Sequence, residues 1–236
     1  MPLNVPWPAL VPPARRSERS RSAGFQCLGS LGLSVVLGAA LSGCCSGSGQ
    51  CPFSPRERGF IPLLSEKAVA DWRQCGPGRF VFRDGIATGE SGMGLGWYSA
   101  RTFTNFVLRG EFLQEQPIAD SGVFVRFPNP GNDPWNAVKQ GHEMEIGDPE
   151  PKDPTWRTGS IYPFAASSRA NTRPVGEWNT YELRCVDQTY TVEINGQEVT
   201  RWTDPDHRTA SGYIGLQNYN DDKTVRHRNL RIQPLP

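Results

Sequence analysis

Three observations predict an all-β fold, a two-sheet antiparallel sandwich of the jelly-roll type. The 236 residues include 25 glycines and 21 prolines, and these punctuate short apolar runs, as in chains of strands joined by turns. No stretch carries a sustained apolar stripe at helical spacing. About a dozen short runs follow one another with turn signals between them, the pattern of packed antiparallel sheets.

In order, Phe60 to Leu64 opens the domain and Asp71-Trp72 reads as a strand end. Arg79 to Arg83, the Asp84-Gly85 turn and Ile86 to Gly89 form a hairpin, since Asp-Gly suits the left-handed turn that joins twisted strands. A glycine-rich loop, Ser91 to Gly96, leads into Trp97-Tyr98. Phe106 to Phe112 alternates apolar with polar, which predicts one buried and one wet face. Ser121 to Arg126 is the next strand, and a long loop rich in Pro, Gly and Asn runs from Phe127 to Gln140. A second irregular stretch, Pro149 to Gly176, is broken by a strand near Thr158 to Tyr162. Trp178 to Val186, Tyr190 to Ile194, the Asn195-Gly196 turn, Gln197 to Trp202, Gly212 to Asn218 and Val225 to Ile232 complete the sheets.

Between the two long loops lies Gly141-His-Glu-Met-Glu-Ile-Gly-Asp148. Strand alternation sends His142, Met144 and Ile146 to one face and Glu143 and Glu145 to the other. A bulge at Gly147 would return Asp148 to the glutamates' side. Like charges so crowded repel, so at least one is expected to be protonated, salt-bridged or bound to a cation. Long loops at both ends predict a cleft here.

A formal net charge of +1 gives no electrostatic case for nucleic acid. The first 43 residues read as a separate object: Arg15, Arg16, Arg19 and Arg21 precede an apolar run from about Cys27 to Leu41, shaped like a secretory signal. It ends in Leu41-Ser-Gly-Cys44, which resembles the bacterial lipoprotein box. That resemblance implies a lipidated Cys44 and an exported, membrane-anchored cell-envelope protein, with a conventional signal peptide cut after a small residue as the alternative; residues 44–58, with their Ser, Gly and Pro, read as a flexible tether. Export would permit a disulfide between Cys75 and Cys185, with two buried free thiols as the alternative. Cysteine spacing suits no zinc site.

From Gly59 to near the C-terminus an ordered set of landmarks is similar to the 3-keto-disaccharide hydrolase domain family, a secreted concanavalin- or glucanase-like jelly roll. They are Gly59-Phe60 with Leu63-Leu64, Asp71-Trp72, Asp84-Gly85, Ser121 to Arg126, the acidic strand with Asp148, Gly176 to Glu182, Asn195-Gly196, Gly212 to Asn218 and Arg228 to Ile232. The chain departs from the family at Tyr219, where a histidine is frequent, and at Glu145, where glutamine is frequent. The resemblance implies a hydrolase or lyase acting on 3-keto glycosides. A ketone at C3 acidifies the C2 hydrogen, so a carboxylate base can remove it while the C1 substituent leaves. Glu143, Glu145 and Asp148 are the candidate base and acid. Arg126, placed by alternation with Gly122 and Phe124, is the candidate for polarising the ketone, and a divalent cation such as Ca²⁺ is an alternative.

Two other readings follow from the same residues. Glu-x-Glu-x-x-Asp on a jelly-roll strand resembles the catalytic strand of laminarinase-type retaining glycosidases. A carbohydrate-binding module without catalysis is the other, with Trp97, Trp135, Trp156, Tyr162 and Tyr219 available for stacking on sugar. Parity with Tyr213 and Gly215 turns Gln217 toward the ligand, with Tyr219, and Asn218 toward the interior. His142, on the apolar face, is expected to be a core histidine, while His207 and His227 lie in polar surroundings.

Overall fold

The computed structural model describes residues 58–147, 150–219 and 222–236. Cys44 and Asp148 therefore lie outside the described residues. The fold is the expected antiparallel sandwich. Its strands are β1 (Ile61–Pro62), β2 (Trp72–Cys75), β3 (Arg79–Arg83), β4 (Ile86–Glu90), β5 (Gly94–Phe103), β6 (Phe106–Gln114) and β7 (Ser121–Phe127). After these come β8 (His142–Ile146), β9 (Ile161–Tyr162), β10 (Asn179–Val186), β11 (Thr189–Ile194), β12 (Gln197–Thr203), β13 (Gly212–Asn218) and β14 (Val225–Pro234). Among the described residues, one sheet has eight strands in the order β12-β11-β10-β6-β14-β4-β3, with β1 beside β14. The other has six, β2-β5-β13-β7-β8-β9.

Both hairpin turns behave as expected, with positive φ at Asp84 and Gly85 and at Asn195 and Gly196. The loop from Phe127 to Gln140 differs from expectation by folding a short helix, α2 (Trp135–Gln140), after α1 (Glu66–Val69). Six residues are too few to display a helical stripe, which is why periodicity misses α2. Asp133 starts it, its carboxylate accepting from the Trp135 N–H at 3.0 Å.

The main core lies between the sheets. Leu108, Phe112, Leu183, Val192 and Ile232 of the eight-stranded sheet meet Val123, Val125, Met144, Ile146, Ile214 and Leu216 of the other, all fully buried. Burial of this much apolar surface, at about 25 cal/mol per Å², is what holds the layers together. A second cluster sits on the outer face of the six-stranded sheet, where Cys75, Leu95, Trp97, Phe124 and Phe127 pack beneath Ala137 of α2. Cys75 and Cys185 are separate free thiols, one in each cluster.

Candidate functional site

Sheet register arranges the outer face of the six-stranded sheet in rows. One row reads Arg73, Trp97, Gly215, Phe124, Glu143 and Tyr162 across β2, β5, β13, β7, β8 and β9. The next reads Cys75, Leu95, Gln217, Gly122 and Glu145. Glu143 and Glu145 thus share one face, as alternation predicts, and Gln217 lies two strands from Glu145 with Gly122 between them. A Cβ at Gly122 would overlap Glu143 Oε1, so the missing side chain is what lets the Glu143 carboxyl lie over the sheet at this point.

Both glutamates are buried, with 4% and 7% of their surface exposed. Burial raises each well above the usual carboxylate range, and the charges of Asp120 and, for Glu145, Glu143 push further in the same direction. Asp120 is the residue sequence reading missed. It precedes β7 and is half-buried, and burial lifts its carboxyl to about 7 against the opposing charge of Lys223. The available signal was parity, since Asp120 is two residues before Gly122 and four before Phe124.

Aromatic side chains border this patch. Tyr162 pairs with Glu143 in the β8–β9 register. Its hydroxyl is pushed up by burial, offset in part by a hydrogen bond with Trp156, and Glu143 and Glu145 add to the rise. Trp156 is 39% exposed. Half-buried Tyr219 meets the edge of Trp135 at 6.4 Å, and burial with the Asp120 charge raises its hydroxyl. Of the six buried side-chain polar atoms without a hydrogen-bond partner among the described residues, Glu143 Oε1 and Gln217 Oε1 lie on this face.

Three expectations about this face need correction. Arg126 does not face the glutamates. In the β7–β13 ladder Phe127 opposes Tyr213 and Val125 opposes Ile214, so Arg126 is the extra residue of a bulge, with φ 55°. The bulge breaks alternation and turns the side chain inward, where it is fully buried and donates to Thr104 O at 2.9 Å, to Asp187 O and to Tyr190 Oη at 3.2 Å. Trp97 is on the outer face but only 7% exposed, packed in the cluster under α2 rather than open to a ligand. Gly147 makes no bulge in β8, whose ladder with β7 is regular from Ser121–Ile146 to Val125–His142. It follows the strand, its N–H donating to Thr158 Oγ1 at 3.1 Å.

The inner face of β8 behaves differently. His142 is 1% exposed and bonds Asp204 through Nε2 at 3.1 Å and Tyr190 through Nδ1 at 2.9 Å. Burial depresses it to about 4 despite Asp204, so near neutrality Nε2–H donates to the carboxylate and the Tyr190 hydroxyl donates to Nδ1. His227 is also a core residue, fully buried against Ser121 Oγ at 3.1 Å, not the polar-surface residue its neighbours suggest.

No set of three His, Cys, Asp or Glu side chains among the described residues is arranged to hold a metal ion. A depression of about 170 Å³ lies at Arg109, Glu182, Glu193 and Arg231 on the eight-stranded sheet. Arg109 and Glu182 there are paired at 2.8 Å, whereas the carboxyl face keeps unpartnered atoms and is the stronger site.

A two-sheet sandwich with its polar cluster on an outer sheet face defines a concanavalin-like jelly roll. Within that class, residues 59–233 match the 3-keto-alpha-glucoside-1,2-lyase-like domain, and the chain belongs to that family. A crystal structure described as a candidate glycosyl hydrolase from Parabacteroides distasonis is 21% identical, with TM-score 0.61, over 75% of this chain and 99% of that one. The carbohydrate-binding module CBM66 from Bacillus subtilis is 12% identical, with TM-score 0.51, over 69% and 95%. The VIP36 exoplasmic/lumenal domain, in a Ca²⁺- and Man3GlcNAc-bound form, is 14% identical, with TM-score 0.51, over 75% and 89%. Among curated proteins there is no match.

Proposed function

We propose that the chain cleaves the glycosidic bond of 3-keto glycosides at the outer face of the six-stranded sheet. The observation that carries this reading is two buried carboxyls on one face of β8, Glu143 and Glu145, both raised by burial, with a third, Asp120, raised to about 7. Such a set supplies an acid and a base at one pH. As its carboxylate, Asp120 takes the C2 proton. The C–H electron pair forms the C1–C2 double bond and the C1–O bond breaks toward the leaving oxygen. Glu143 or Glu145 gives that oxygen a proton, and water then adds across the double bond. With Arg126 turned inward, the other neutral glutamate donates the hydrogen bond that polarises the ketone. Family membership and the carbohydrate relationship of several fold neighbours support the substrate class.

Binding without turnover is the second reading, favoured by the low exposure of Glu143 and Glu145 and by the fold shared with a carbohydrate-binding module. Incubation with methyl glucosides and their 3-keto forms, with and without EDTA, separates the readings. Turnover confined to the keto forms supports the proposal. Binding alone supports the second reading, and turnover of unmodified β-glucan would support a laminarinase-like retaining glycosidase instead.

Export on a lipid anchor is part of the same proposal, resting on Leu41-Ser-Gly-Cys44. Cys44→Ala is expected to move the protein from the membrane to the soluble fraction in a bacterial host. Unchanged fractionation would remove the anchor.

A further inference from the structure

The two unpartnered buried acceptors of the site are neighbours of one glycine. Gly122 stands opposite Gln217 on β13 and opposite Glu145 on β8. Glu143 Oε1 lies where a Gly122 side chain would be. Neither Glu143 Oε1 nor Gln217 Oε1 has a protein partner, and the two residues are 4% and 6% exposed. A buried acceptor left unpaired is destabilising, so the arrangement suits a ligand that brings donors. Gln217 plays no part in the proton transfers proposed above.

The chemistry of the three side chains narrows that ligand. A carboxylic acid offers one donor and one acceptor, and an amide carbonyl offers an acceptor. An alcohol hydroxyl both donates and accepts, so it matches this set. A carboxylate or sulfate has no hydrogen to give the Gln217 carbonyl oxygen and would leave that buried acceptor unpaired.

Resting on the reading of this face as a carbohydrate site, we infer that the glycine floor at Gly122 is a subsite for the free hydroxyls of a neutral sugar. There Gln217 is the specificity-determining residue, accepting from a ligand hydroxyl, and sugars carrying a carboxylate or sulfate are excluded.

The test is a binding measurement, independent of turnover. Titration calorimetry with methyl α- and β-glucoside and galactoside is compared with titration by the matching methyl glucuronides, at pH 7. At least one neutral glycoside is expected to bind at least tenfold more tightly than its uronide. Gln217→Leu should weaken that glycoside about tenfold, the cost of one lost hydrogen bond. Gly122→Ala, which displaces the Glu143 carboxyl without changing polarity, should weaken it at least as much. Unfolding midpoints check that both variants fold. A folded Gln217→Leu or Gly122→Ala protein that binds the neutral glycoside as wild type does would overturn the inference, as would equal or tighter binding of the uronide. If 3-keto turnover fails while neutral glycosides bind and the variants lose them, the catalytic reading falls and the subsite stands. If turnover holds with KM unchanged in Gln217→Leu, the subsite falls alone.

Discussion

The two faces of β8 bury polar groups in opposite ways. On the inner face Arg126 donates to Tyr190, Tyr190 to His142 and His142 to Asp204, with Asp204 also accepting from the Arg208 N–H at 2.9 Å and the Asp206 N–H at 3.0 Å. A cation begins this chain and a carboxylate ends it, and each intermediate group has a partner on both sides. On the outer face Glu143 and Gln217 keep buried oxygens unpartnered, and carboxyls are crowded until they must protonate. Satisfied burial of polar groups fixes one packing arrangement, whereas unsatisfied burial holds free energy that a ligand can release. The inner chain therefore has the marks of a structural network and the outer cluster those expected of the proposed site, although only one strand separates them.

The sharpest way to break this comparison is to delete one group from each face and measure activity and stability together. Glu143→Gln keeps shape but cannot donate an acid proton. Turnover of a 3-keto glucoside is expected to fall by about 10²–10⁴-fold, with an unfolding midpoint equal to or above that of wild type. Full activity in Glu143→Gln would end the catalytic assignment.

On the inner face the signs reverse. Arg126→Met is expected to cost about 1–3 kcal/mol for each acceptor stranded, because Tyr190, Asp187 and Thr104 all lose their shared donor. Asp204→Ala should cost less, about 1–3 kcal/mol, by stranding the buried Nε2–H of His142. Urea unfolding measures both. Losses below about 0.5 kcal/mol, within the range of ordinary surface changes, would show that the chain is not structural.

Protonation gives a subtler contrast. His142 and His227 are depressed by burial to about 4 and about 3. Their contribution is complete above the unfolded value near 6.5 and is lost as pH falls toward those folded values. The outer carboxyls are raised, so theirs is complete below the unfolded value near 4 and is lost as pH rises toward their folded values, about 7 for Asp120. Above pH 6.5 only the carboxyl effect remains, and stability should decline with pH at up to about 1.4 kcal/mol per unit for each neutral carboxyl. Glu145→Gln should make the decline with rising pH shallower, because its raised carboxyl is removed. A slope unchanged in that variant would mean Glu145 is already ionised in the folded protein.

How much of this was legible in the chain depends on whether the signal was periodic. The sheets, the Asp84-Gly85 and Asn195-Gly196 turns and the shared face of Glu143 and Glu145 follow from alternation, which a regular ladder preserves. Arg126 was misplaced because a one-residue bulge inverts parity and leaves no mark in composition. Trp97 was misjudged because its cover, α2, comes from a loop about forty residues later and is too short to announce itself. Asp120 lay in reach of parity but outside the expected strand.

The smallest expected effect concerns the rim. Trp156 is the most exposed of the site's aromatics, at 39%, and hydrogen-bonds Tyr162, which adjoins Glu143. If the rim stacks on sugar, Trp156→Ala should weaken a neutral glycoside by a few-fold, equivalent to roughly 0.5–1.5 kcal/mol of aromatic contact, and leave kcat and the unfolding midpoint nearly unchanged. The hydrogen bond offers a second handle. Trp156→Phe keeps the stacking surface but removes the N–H, so it should retain affinity while raising the titration of Tyr162. Loss of stability in Trp156→Ala with affinity intact would instead assign the indole to holding the loop that carries it, and would move the ligand's boundary to the Trp135–Tyr219 side of the carboxyls.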